Sequence, residues 1–231
     1  MAIKTYEKKN LTDERAAQAL HREIYILATL RHPHIMSLYE VIDTRTQVHL
    51  IMELCRGTNL FHIIKKRKPE PRLPESEAKV IFKKVVSAVE YMHSNNVVHR
   101  DLKLDNILVF EDQVKLIDLG FATECAKDEK LNIICGTPQY MDPDLARKNV
   151  YHGQAADVWA LGVILFIIVT GKIPFGGGFE ADLYRNIIKG KYTWPDDLRE
   201  KDGTKYTPSN ELKGIIRKIL EPNVSLRFSA K

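Results

Sequence analysis

The twelve residues Val158–Val169, VWALGVILFIIV, constrain this chain more than any other stretch of it. A helix that is apolar around its whole circumference has no face to offer to water, so other elements must enclose it. The run is also shorter than the roughly 20 residues needed to cross a bilayer. It therefore predicts a central core helix, and the rest of the chain must supply its cover. With 231 residues, 44% hydrophobic and 28% charged, there is enough material for a sizeable core and too much apolar content for disorder.

Composition excludes several classes. Thirty-five Lys+Arg against thirty Asp+Glu leave a net charge of only +5, and apart from Lys65-Lys66-Arg67-Lys68 the basic residues are scattered. That run reads as a solvated helix end, so no nucleic-acid partner is expected. Cys55, Cys125 and Cys135 have no CxxC spacing and offer neither a disulfide framework nor a zinc site, which fits a reducing compartment, cytoplasmic or nuclear. The opening MAIKTYEKKN has no apolar stretch like that of a signal peptide, and no membrane insertion is expected.

Periodicity sets the organisation. A short strand at the start is followed by a helix capped by Thr12, with Ala17, Leu20, Ile24, Leu27 and Leu30 on one stripe, ended by His32 and Pro33. The β-rich runs Ile35–Val41 and Val48–Met52 flank DTRTQ as a hairpin. After Met52 the pattern turns mainly helical. Pro74 and Glu75 open a long helix burying Ala78, Ile81, Val85, Ala88, Val89 and Met92. Short strands Ile107–Val109 and Val114–Leu116 then lie beside two charged loops, HRDLKLDN and DLGFATE, where periodicity stops and chemistry is to be sought.

Singly, none of these polar residues is diagnostic. As an ordered set, His99-Arg100-Asp101-Leu102-Lys103-Leu104-Asp105-Asn106, Asp118-Leu119-Gly120, Cys135-Gly136-Thr137-Pro138 and Asp157-Val158-Trp159-Ala160-Leu161-Gly162 closely resemble the eukaryotic protein-kinase signature. The resemblance covers essentially the whole chain. It implies an α+β, two-lobed fold: residues 1–54 as a small sheet-plus-helix lobe lacking its first two strands, and 55–231 as hinge and helical lobe. The Lys103 spacing and the GTPQY segment resemble Ser/Thr kinases, and later segments resemble the calcium/calmodulin-dependent and AMP-activated-like branch.

The resemblance also implies roles. Asp101 would orient a Ser/Thr hydroxyl of a protein substrate and accept its proton; Lys103 would steady the transferring γ-phosphoryl of ATP; Asn106 and Asp118 would hold Mg2+. Ala2-Ile3-Lys4 looks like the end of a V-A-I-K motif, with Lys4 on the α- and β-phosphates and Glu23 as its helix partner. Met52 resembles the gatekeeper, the backbones of Glu53 and Cys55 would meet the adenine edge, and Ala2, Leu60 and Leu108 would pack on its faces. Leu27, Leu38, His99 and Leu119, anchored on Asp157, resemble the column that joins the lobes of active kinases.

Several features depart from the pattern. The glycine-rich loop that precedes V-A-I-K is not in this sequence, and the chain stops just after Arg227, so it reads as a truncated kinase domain. Asp142-Pro143-Asp144 stands where A-P-E is usual, so the ion pair with Arg227 is expected from the shortened carboxylate. Ile133 occupies a position that many relatives use for phosphorylation, leaving Arg100 without a phosphate; Asp128 or Glu129 would supply part of that charge. Of three positions that read basic residues in substrates, Asp105 is acidic while Asn59 and Ile167 are not. A rival reading is a pseudokinase or scaffold that signals by binding. The complete set of Lys4, Glu23, Asp101, Lys103, Asn106 and Asp118 argues for catalysis, the missing loop for the rival. Oligomeric state stays open.

Overall fold

The computed structural model of the chain describes residues 1–68, 70–200 and 202–230. Strand β1 (Ala2–Glu7) alternates its side chains, with Ala2, Lys4 and Tyr6 turned to one half-buried face and Ile3 and Thr5 exposed. Helix α1 (Glu14–Thr29) is capped by Asp13 rather than the expected Thr12: the Asp13 carboxylate accepts from the Arg15 N–H at 3.1 Å, where the helix dipole also favours negative charge. Strands β2 (Leu38–Asp43) and β3 (Gln47–Met52) form the expected hairpin. The sheet order is β1-β3-β2, antiparallel, with Lys4 opposite Leu50 and Ala2 opposite Met52. The first of these strands starts three residues later than the sequence suggests. Ile35 is used elsewhere, in a parallel bridge to Leu116 that ties the small sheet to the rest.

Beyond Met52, strand β4 (Thr58–Asn59) leads into α2 (Leu60–Lys66), where Asn59 caps the helix by accepting from the His62 N–H. Helix α3 (Glu75–Ser94) buries all six of the expected residues, and adds His93 in its last turn. Then come β5 (Val97–Val98), the hairpin β6 (Ile107–Phe110) and β7 (Gln113–Leu116), and β8 (Thr123–Glu124). β9 (Lys130–Leu131), α4 (Pro143–Ala146) and β10 (Tyr151–His152) precede α5 (Gly153–Thr170), followed by α6 (Glu180–Lys189) and α7 (Asn210–Ile219). β4 joins β6 and β7 in a three-stranded sheet, β5 pairs with β8, and β9 pairs with β10.

Helix α5 contains the apolar run, and every residue from Ala156 to Thr170 is buried. Helices α3 and α7 pack against it. A Cβ on Gly162 would come within 2.6 Å of Ile219 and 2.7 Å of Leu220, so the missing side chain is what lets the end of α7 approach. Trp159 stacks on Phe175 at 5.3 Å between ring centroids. Each large side chain enclosed in this way contributes about 1.5–3 kcal/mol relative to exposure. The architecture is α+β, a small sheet with one helix beside a larger, mainly helical part, the two-lobed layout that the resemblance implies.

Candidate active site

One charged side chain interrupts the buried surface of α5. The Asp157 carboxylate, 2% exposed, lies 2.9 Å from His93 Nε2 and accepts the backbone N–H groups of His99 at 2.8 Å and Arg100 at 2.9 Å. Burial alone would raise its pKa, but these hydrogen bonds and the two neighbouring imidazoles outweigh it and hold the carboxyl below its ordinary value. Arg100 adopts φ 68°, a left-handed conformation that costs an arginine energy and persists because Asp157 holds its N–H.

That bend delivers Asp101, 4% exposed, into the cleft. Lys103 Nζ donates to Asp101 Oδ2 at 2.6 Å and Thr137 Oγ1 donates to Oδ1 at 2.8 Å, so both oxygens are oriented. The Asn106 amide nitrogen donates to the Asp101 carbonyl at 3.0 Å. Gly136, at φ 100°, passes so close that a Cβ would sit 2.6 Å from the Arg100 carbonyl oxygen.

The β6–β7 hairpin places the remaining acidic group. Ile107 pairs with Leu116 and the Ile117 N–H donates to the Asn106 carbonyl at 2.9 Å, so Asn106 and Asp118 flank one end of the ladder. With its nitrogen spent on Asp101, Asn106 keeps an amide oxygen as acceptor, and the Asp118 carboxylate is 46% exposed. A carboxylate and an amide oxygen are the donors that a hard divalent cation such as Mg2+ takes. The chemistry of this donor set fits the ion.

Facing them from β1, Lys4 Nζ donates to Glu23 Oε1 at 2.8 Å and lies 3.7 Å from Asp118 Oδ1. Burial would lower the Lys4 pKa, but the hydrogen bonds to Glu23 and Tyr6 override it and push it well up, so the ammonium is retained. Tyr6 also reaches Glu23, a contact that the sequence reading missed. At the connector, the Glu53 N–H is spent on the Ser37 carbonyl, and its carboxylate pairs with Lys115 at 2.8 Å. Among the described residues nothing takes the Glu53 carbonyl or the Cys55 N–H, the two groups expected to meet a base edge. Ala2 and Leu108 are half-buried, and Met52, 5% exposed, lies opposite Ala2 in the β1–β3 ladder. Leu60 is fully enclosed at 0%, so it belongs to the core beneath rather than to an open wall.

The Protein kinase domain model matches residues 1–231. The chain belongs to the protein kinase domain family. It is 39% identical to sperm motility kinase 3A of Mus musculus over 98% of this chain and 42% of that protein. It is 38% identical to NUAK family SNF1-like kinase 1 of Homo sapiens, over 98% of the chain and 32% of that protein. With CBL-interacting protein kinase 10 of Oryza sativa subsp. japonica the identity is 34%, over 99% and 49%. The chain thus spans between about a third and a half of these relatives.

Within the kinase domain, Leu27, Leu38, His99 and Leu119 are all buried, and the His99 N–H ends on Asp157. Two expectations need correction. Arg227 pairs with Asp142 at 3.2 Å, both side chains 1% exposed, while Asp144 turns outward to Arg147. The reason is local: Asp142 precedes α4 and accepts the Leu145 N–H as its cap, which leaves its second oxygen facing the interior, whereas the half-buried Asp144 side chain turns to Arg147 at i+3. Burial raises the Asp142 carboxyl and lowers the Arg227 guanidinium, with their mutual attraction opposing both. Nor does Asp128 or Glu129 pair with Arg100 among the described residues. Arg100 Nε donates to the Phe121 carbonyl at 2.6 Å, and Glu129 accepts the Ala126 N–H. The segment around Ile133 is instead held by the β9–β10 ladder and by the Tyr151 hydroxyl, which donates to the Ile133 carbonyl at 3.1 Å. Of the three positions that the resemblance links to basic residues in substrates, Asp105 is exposed, Asn59 is engaged as the α2 cap, and Ile167 is buried in α5.

Proposed function

We propose that this kinase domain transfers the γ-phosphoryl of ATP to Ser/Thr hydroxyls of protein substrates, in the cytoplasm or nucleus, with residues 1–54 and 55–231 as its two lobes. The observation that carries the reading is the doubly oriented Asp101 carboxylate, held by Lys103 and Thr137 beside the Asn106–Asp118 pair. Asp101 accepts the substrate proton, and Thr137 and Lys103 keep its carboxylate from rotating away. Lys103 also offers its ammonium to the transferring group. Lys4 grips phosphate oxygens from above, kept charged by Glu23. The Glu53 carbonyl and the Cys55 N–H present acceptor and donor to the base, between Ala2, Leu108 and Met52. Asn106 and Asp118 would hold Mg2+, which when bound neutralises charge spreading over the phosphates.

A thermal-shift titration with Mg-ATP, followed by phosphoryl transfer to a generic Ser/Thr peptide, tests this. Stabilisation that grows with ligand excess and transfer that Asp118→Asn abolishes are expected. Undiminished transfer by Asp118→Asn removes the site assignment; nucleotide binding without any transfer favours a binding role.

A further inference from the structure

The Glu23 carboxylate, on a residue only 5% exposed, is shared by two donors from one strand. Lys4 takes Oε1 at 2.8 Å, and the Tyr6 hydroxyl donates to Oε2 at 2.6 Å. The period of two in β1 turns both side chains to the same face, toward α1, and the Lys4 ammonium also lies 5.3 Å from the centre of the Tyr6 ring. A buried carboxylate with a single ion pair retains an unsatisfied oxygen, which would favour its swinging out with its helix into water. Tyr6 removes that incentive. Its hydroxyl, pushed up to about 12 by burial and by its bond to Glu23, stays protonated and so remains a donor at neutral pH.

We propose that Tyr6 is a positioning residue that latches α1 onto β1 through Glu23 and so keeps Lys4 pre-set for the nucleotide phosphates. The proposal rests on the Lys4 role given above. Tyr6 itself touches no reacting group. By completing the Glu23 carboxylate it shifts the equilibrium between α1 docked and α1 displaced toward the docked state before nucleotide arrives.

The test compares the protein with its Tyr6→Phe, Lys4→Met, Glu23→Ala and Tyr6→Phe/Glu23→Ala variants. Amide hydrogen exchange is read across α1 without nucleotide, and Mg-ATP affinity by calorimetry. Tyr6→Phe keeps the ring and loses only the donor. The expected result is exchange in α1 about tenfold faster with α3 and α5 unchanged, and Mg-ATP binding about tenfold weaker, which corresponds to roughly 1.4 kcal/mol. In peptide assays KM for ATP should rise with kcat changed less than about threefold, because saturating nucleotide redocks the helix. On the Glu23→Ala background the same substitution should change affinity less than about twofold.

Lys4→Met weakening nucleotide while Tyr6→Phe leaves α1 exchange and affinity unaltered would overturn the latch and spare the site reading. Faster exchange throughout the protein with KM for ATP unmoved would make Tyr6 an ordinary packing residue. Lys4→Met with no effect on Mg-ATP affinity would overturn the Lys4 role itself, and the latch with it.

Discussion

Below the cleft, Asp101 is set by a chain of contacts that runs inward: Lys103 and Thr137 hold its oxygens, the peptide before it is bent by Asp157, and Asp157 stands on a helix with no exposed side. Above the cleft, Lys4 is set by contacts that run along a surface: Glu23 on α1, Tyr6 on the same strand, and Asp118 across the gap at 3.7 Å, with Lys4 38% and Asp118 46% exposed. The lower wall is therefore ordered by folding itself, because its anchor cannot move without opening the core. The upper wall shares that core through Leu20, Ile26 and Leu27 of α1, but its reacting groups are held at the rim by a few hydrogen bonds between β1 and α1. The two sides of one site thus differ in how deeply their polar anchors are set.

The sharpest way to break that contrast is Asp157→Ala. It leaves two backbone N–H groups and His93 without their acceptor in the interior, and an unfolding free energy lower by about 3–5 kcal/mol is expected in denaturant titration. A loss under about 1 kcal/mol would mean that the lower wall does not depend on the core.

Asp101→Asn separates chemistry from architecture. Transfer to a Ser/Thr peptide should fall about a thousandfold while the thermal midpoint stays within a few degrees, since the amide oxygen still accepts from Lys103 and the amide NH2 can donate to the Thr137 hydroxyl. Gly136→Ala should cost about 2–3 kcal/mol, because the new methyl meets the Arg100 carbonyl and the backbone conformation is one that alanine resists. Displacement of Thr137 should lower kcat with little change in ATP affinity.

The smallest effect is one of pH. Burial depresses the His99 pKa, with Asp157, Asp101 and Asp118 opposing it only in part. Between its folded value and the unfolded value near 6.5, the unfolded chain binds more protons, so stability rises with pH across that window and is lost on acidification. The depressed Asp157 carboxyl adds a second loss as pH falls below about 4. The thermal midpoint should decline by a few degrees from about pH 7 to 5 in buffers of equal ionic strength. A midpoint that rises over that interval would contradict the neutral, buried His99.

The same division between core and surface decides what could be read from sequence. Ala78, Ile81, Val85, Ala88, Val89 and Met92 repeat with the helical period and were legible, as was the core role of Val158–Val169, because periodicity reports burial directly. Motif order brought together Asp101, Lys103, Asn106 and Asp118. The triplet points Arg227 to Asp144 and not to Asp142, because position in a triplet says nothing of which carboxylate a helix cap turns inward. Tyr6 left a signal that was not used: it lies two residues from Lys4 in a strand, and so had to share its face. His93 could be placed on a buried helix end, but its partner lies 64 residues away and only the packed α3–α5 pair reveals it.

The Asp142 side chain opens α4 with one oxygen and receives Arg227 with the other. Glutamate would overshoot the cap and disturb both duties, whereas asparagine would keep the cap and forfeit the charge that Arg227 meets. The two ends of an 85-residue span are wired to a single fuse, so damage at this point should appear as one concerted release instead of gradual fraying.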